Sequence, residues 1–184
     1  MSKSILIPVA HGSEEIEIVC LADTLRRAEF AVTLASVETE LTLNCSRKVK
    51  IEADCFFADV VEQNFDLIVI PGGVEGSETL SQTSQLTAKL KSQHEKSGYI
   101  AAMCAAPAVV FARHYIAVER LMTAHPAFFN KLHKPASPEL RVVVDKNCIT
   151  SQAPGTAIEF ALVLIELLAG RELAEKVAQP MLVK

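Results

Sequence analysis

The chain contains no tryptophan, and aromatic residues make up only 5% of its 184 positions. Its core must therefore be built from aliphatic side chains and alanine. It also lacks any cluster of basic residues: 18 Lys and Arg against 22 Asp and Glu give a net charge of −4. That balance leaves no electrostatic footprint for nucleic acid or an anionic membrane, and neither partner is expected. No apolar run is long enough to span a bilayer. The run within Met1 to Ala10 is broken by His11, Gly12, Ser13, Glu14 and Glu15 too early for a secretory h-region. Export is not expected, and a cytoplasmic location is. Closely spaced cysteines are absent as well. Cys20, Cys45, Cys55, Cys104 and Cys148 are odd in number and far apart, which excludes a zinc knuckle or a dithiol motif and predicts free thiols in a reducing compartment. No histidine spacing spells a metal site and no Walker-type phosphate loop is present, so neither metal nor cofactor is expected.

What is present is an alternation of strand and helix patterns without linker or repeat, predicting one α/β domain over residues 1–184. Ser4 to Val9 reads as a buried strand. Ser13 is a candidate N-cap for a helix to about Arg27, and Ala31 to Val37 is the next strand. Leu41 to Cys45 and Val49 to Glu52 suggest a hairpin beside the main sheet. Asp66 to Ile70 is apolar enough for a central parallel strand, followed by a helix from Thr83 to about Lys96. Tyr99 to Met103 is another such strand, after which Ala105, Ala106 and Pro107 open a helix to about Arg113. A strand pair, Arg141 to Val144 and Cys148 to Ser151, precedes a long helix from Thr156 to about Leu168 and a last one from Arg171 to Val177. In such a sandwich the functional crevice lies at the carboxyl ends of the parallel strands.

One junction carries chemistry. Ala102-Met103-Cys104-Ala105-Ala106 puts small residues two before and two after a potential nucleophile, between a strand and a helix. That is the spacing of a nucleophile elbow, in which bulkier flanking side chains would clash with neighbouring chain. The helix N-terminus that follows favours a thiolate at Cys104. Pro71-Gly72-Gly73 ends the strand expected to lie alongside, so the Gly73 and Ala105 amides form a candidate oxyanion hole; the alternative is a sequence that merely ends a strand. Glu17 borders an apolar helical stripe, and two readings stand. Buried, it would hold a proton and donate to a thiolate; exposed, it would serve the helix dipole with Glu14 and Glu15. His125, on a loop, is a candidate proton carrier among several histidines. Arg27 either favours its helix's dipole or serves a pocket, and Arg47 is either a solvated charge or an anion contact.

These segments resemble the ThiJ/PfpI superfamily, in the branch of the parkinsonism-associated protein deglycase and its bacterial YajL relatives. The resemblance covers nearly the whole chain and rests on His11 to Glu17, Cys45-Ser46-Arg47, Pro71-Gly72-Gly73, Ala101 to Pro107 and Thr150 to Thr156. It implies a flavodoxin-like three-layer sandwich, with Cys104 as the oxidation-sensitive cysteine, Glu17 as its protonated partner and His125 as the pocket histidine. It further implies that Gly73 and Ala105 supply the oxyanion amides beside Gly72. Arg47 and Arg27 match basic residues near the pocket, one of them reaching across a homodimer interface near which Cys45 also falls. Ala105 stands where the peptidase branch has histidine, which argues against a protease. His11 departs from the pattern and adds a possible proton acceptor at the pocket mouth.

The resemblance implies a cofactor-free, cysteine-dependent glyoxalase or protein deglycase, acting on methylglyoxal-type α-oxoaldehydes or their early adducts on proteins. The rival expectation is an oxidative-stress sensor or chaperone working through Cys104 oxidation. A role in thiazole phosphate and thiamine metabolism ranks last.

Overall fold

A computed structural model describes residues 2–183, so Met1 and Lys184, the ends of the expected domain, lie outside the described residues. A seven-stranded sheet forms the middle layer. Its order is β5 (Cys55–Phe56), β2 (Ala31–Ser36), β1 (Ser4–Val9), β6 (Leu67–Ile70), β7 (Tyr99–Met103), β9 (Cys148–Ser151) and β8 (Val142–Asp145). All neighbouring strands are parallel except β8, which returns antiparallel to β9. β3 (Thr42–Asn44) and β4 (Lys50–Glu52) form a separate antiparallel hairpin.

Because successive strand side chains point to opposite faces, β1 feeds both outer layers. Ile5, Ile7 and Val9 pack under α1 (Glu15–Arg27), α5 (Ala157–Ala169) and α6 (Arg171–Ala178). Leu6 joins Ile68, Ile70, Ile100 and Ala102 under α3 (Val74–Gln82) and α4 (Ser84–Glu95). A four-residue α2 (Phe57–Val60) follows β5. The three-layer, flavodoxin-like arrangement expected from the sequence is thus the one observed.

Several local expectations need correction. Glu14, not Ser13, is the N-cap of α1, without a side-chain cap. The Ser13 hydroxyl instead accepts the Ala10 amide at 3.1 Å, satisfying a buried donor at the end of β1. α3 carries no clear apolar period, yet forms because Gly76 has no Cβ where Ser13 packs against it. The segment after Cys104 is a wholly buried π-helix over Pro107–Ala112 and not an α-helix to Arg113.

The order places β1 between β2 and β6, so the chain reverses its direction of travel across the sheet there. Crevices form at such switch points. The loops after β1, β6 and β7 all open at this edge.

Candidate active site

Cys104 follows β7 directly and has φ of 61°, a left-handed conformation that costs a residue with a Cβ about 1–2 kcal/mol. Two backbone hydrogen bonds hold it there. Its N–H donates to the Ser151 carbonyl at 3.0 Å, and its carbonyl accepts the His125 N–H at 2.8 Å. The turn directs the sulfur toward the end of β6, where the N–H groups of Gly73 and Ala105 point at it. Gly73, at φ 85°, initiates α3, and a Cβ there would fall onto the Gly12 carbonyl and lie 2.7 Å from the Glu14 nitrogen.

Glu17 is completely buried, which decides between its two readings. Its Oε2 accepts the Gly72 N–H at 2.6 Å, while Oε1 has no hydrogen-bond partner. Burial pushes the Glu17 carboxyl up to about 7, against the lowering pull of the Gly72 amide and of Cys104. Burial, and then the Glu17 charge, push the Cys104 thiol up to about 12; the Gly73 and Ala105 amides pull the other way without prevailing. The sequence-based expectation of a thiol acidified by a helix terminus is therefore not met at Cys104 taken alone. The six-residue π-helix supplies a weak dipole and the site is desolvated. Cys104 and Glu17 titrate as a pair: between about 7 and about 12 they hold one proton between them.

The sulfur opens into a cavity of about 490 Å³ whose lining includes Gly73, His125 and Arg47. His125 caps the 3₁₀ turn Pro126–Lys131, its Nδ1 accepting the Ala127 N–H at 3.2 Å. In the neutral ring the proton therefore sits on Nε2. Arg47 is delivered by the hairpin turn, which the first turn of α1 holds: the Arg47 N–H donates to both Glu15 oxygens at 2.8 and 3.1 Å, and the Ser46 hydroxyl to Glu14 Oε2 at 2.9 Å.

Two expected residues stand elsewhere. Arg27 pairs with Asp23 at 3.0 Å near the opposite end of α1 and lines a different cavity. His11 is fully engaged, its Nδ1 accepting the Asn44 N–H at 3.0 Å and its Nε2 lying 2.9 Å from Glu40. It braces the hairpin and offers no free nitrogen to the cavity. Glu14, Ser46, Lys48, Glu75 and Phe128 also line the pocket, although the sequence does not single them out as pocket residues. Ser46 and Lys48 flank Arg47 in sequence, which was the available signal; Phe128 lies on a short 3₁₀ turn with no periodic pattern.

Residues 3–167 match the DJ-1/PfpI family. The chain belongs to the DJ-1/PfpI family. It is 43% identical to the dj-1beta protein of Drosophila melanogaster over 100% of this chain and 98% of that protein. It is 36% identical to "Glutathione-independent glyoxalase DJR-1.2" of Caenorhabditis elegans over 98% of this chain and 95% of that one. Among solved structures, "Toxoplasma gondii DJ-1, oxidized" superposes with a TM-score of 0.95 at 42% identity, covering 98% of both chains. The chain spans only 38% and 46% of two longer Arabidopsis thaliana relatives, DJ-1 homologs B and A.

Proposed function

We propose that this DJ-1/PfpI chain, as one domain over residues 1–184, is a cofactor-free glyoxalase that uses Cys104 on methylglyoxal-type α-oxoaldehydes or their early adducts on protein amines and thiols. The observation that carries this reading is the Cys104–Glu17 pair, a half-buried sulfur that lines an open cavity against a fully buried carboxyl, with two amides aimed at the sulfur. In its singly protonated form the proton rests on the sulfur and Glu17 is the carboxylate beside it, placed to take that proton as the sulfur attacks. The likeness to a relative named as a glutathione-independent glyoxalase supports the same reading.

The thiolate adds to the aldehyde carbon, and the new oxyanion lies near the Gly73 and Ala105 amides before taking the Glu17 proton. The resulting Glu17 carboxylate removes the C1 hydrogen of the hemithioacetal while His125 Nε2–H protonates the neighbouring carbonyl oxygen, giving an enediol. Glu17 returns its proton to C2 and the C1 hydroxyl proton goes back to His125, leaving a lactoyl thioester. Water hydrolyses it to lactate and restores the thiol. A carboxyl poised near 7 suits both directions of this transfer. Lactate release from methylglyoxal without glutathione is the test, and release undiminished in Cys104→Ala would refute it.

A second reading rests on the unpartnered Glu17 Oε1. A protonated Glu17 can donate to a sulfinate, making Cys104 a sensor of oxidative stress that alters chaperone-like or partner binding. Mass spectrometry after mild peroxide distinguishes it: two oxygens on Cys104 in preference to the other four cysteines support sensing, and preference for another cysteine removes it. We also read the chain as a cytoplasmic homodimer. The five unpaired cysteines favour the compartment. The half-exposed Ile16 and Val19 on α1, with Val49 on the hairpin strapped to its first turn, favour an apolar contact between two copies.

A further inference from the structure

His125 lies in a segment that belongs to no strand or α-helix, yet its imidazole must keep one height above Cys104 to serve the proposed reaction. The Cys104 carbonyl holds its backbone N–H at 2.8 Å, and Ala127 holds its ring at Nδ1. Neither contact fixes the approach of the chain from Thr123. That is supplied by β9. Thr150 pairs with Ala102 of β7 on one side and with Val143 of β8 on the other, so its backbone is locked in the sheet. Its fully buried Oγ1 accepts the N–H of the equally buried Thr123 at 2.9 Å. Gln152 adds a longer contact of 3.4 Å to the Thr123 hydroxyl.

The two short hydrogen bonds lie two residues apart, at Thr123 and His125, and end on β9 and on the residue that directly follows the adjacent parallel strand β7. Thr150 belongs to β9 and Cys104 directly follows β7. The His125 segment is therefore gauged against the same two strands that carry the nucleophile. A β-branched residue such as threonine has few side-chain rotamers in a strand, so the acceptor stays where it is needed.

We propose that Thr150 is a positioning residue for the chemistry at Cys104: its Oγ1, by fixing the Thr123 amide, sets the reach of the His125 imidazole over the sulfur. The assignment rests on the reading that His125 transfers a proton there. Thr150 touches neither substrate nor sulfur and acts only through the Thr123 to His125 backbone.

The test is Thr150→Val, which keeps the branched shape and removes the acceptor, beside Thr150→Ser, which keeps the acceptor. With methylglyoxal, Thr150→Val is expected to lose about 10- to 100-fold in kcat with little change in KM, the cost of a small misplacement. Thr150→Ser is expected to recover most of it. A folded Thr150→Val with the kcat of the wild type overturns the proposal. ¹⁵N NMR of the His125 ring supplies a readout independent of turnover. The wild type should show a single tautomer with Nδ1 as acceptor, and Thr150→Val an averaged ring. A ring already averaged in the wild type overturns the proposal even if Thr150→Val does not fold. If the wild type releases no lactate while its ring is fixed and Thr150→Val releases it from that state, the glyoxalase reading fails and the positioning stands.

Discussion

Gly72 donates its backbone N–H to Glu17 Oε2 at 2.6 Å while its Cα faces Cys104 so closely that no side chain fits between them. A Cβ at this position would collide with the Cys104 Cβ, lie 2.8 Å from Glu17 Oε2 and 3.0 Å from the sulfur. Glycine is thus what allows acid and thiol to share one proton. Gly72→Ala is expected to destabilise the fold by about 1–3 kcal/mol through overpacking and to cut lactate release by about 100-fold through displacement of the pair. Chemical denaturation and a glutathione-free lactate assay check both. A variant of wild-type stability and rate would mean the two side chains separate freely.

The Glu17 carboxyl, raised from 4.5 to about 7, keeps its proton longer in the folded state than in the unfolded one. Its contribution to stability is therefore full below about 4.5 and is lost as the pH rises to about 7, a change of about 3 kcal/mol. Glu17→Gln removes this slope. The variant should match the wild type near pH 4.5 and exceed it in denaturation midpoint at pH 8. Alkylation of Cys104 should show a lower apparent pKa in Glu17→Gln than in the wild type, because the Glu17 charge is one of the causes that hold the thiol up and the amide removes it. An unchanged or higher value in the variant would sink the shared-proton account.

How much of this is legible in the sequence varies with the range of the interactions involved. Continuous apolar runs between turn residues mark β1 and β7 at their observed limits, because that signal is local. The elbow at Cys104 was legible from its flanking alanines, and the neighbouring glycine turn from its sequence. Glu17 was ambiguous because periodicity put it at the border of the stripe, and only packing against Gly72 decided its burial. The direction of the thiol's acidity is hidden for the same reason: desolvation is a property of the whole crevice and not of the turn. α3 is not legible because Leu80 is its one buried large apolar side chain, and the close approach of Gly76 to Ser13 leaves no periodic pattern.

Cys104 occupies a left-handed backbone position for the sake of its sulfur. Removing the Cβ should relieve the strain, so Cys104→Gly is expected to be more stable than Cys104→Ala by about 1–2 kcal/mol, although neither releases lactate. Thermal denaturation of the two side by side measures the difference. If the alanine variant proves equally stable, the elbow is not strained and its geometry owes nothing to function.

Glu15 is nearly buried and spends both carboxylate oxygens on the Arg47 backbone N–H. It therefore ties the cationic turn to the helix that also carries Glu17, but contacts none of the groups that move protons. Glu15→Ala should free the Arg47 turn from the cavity rim, raise KM for methylglyoxal severalfold and leave kcat near that of the wild type. Loss of a charge-assisted hydrogen bond should cost about 1.5–3 kcal/mol of stability. Glu15→Gln, which retains one acceptor, should fall between. Steady-state kinetics of the three proteins separate the roles. A fall in kcat with KM unchanged would place the hairpin in the chemical step, where its backbone anchors give it no means to act.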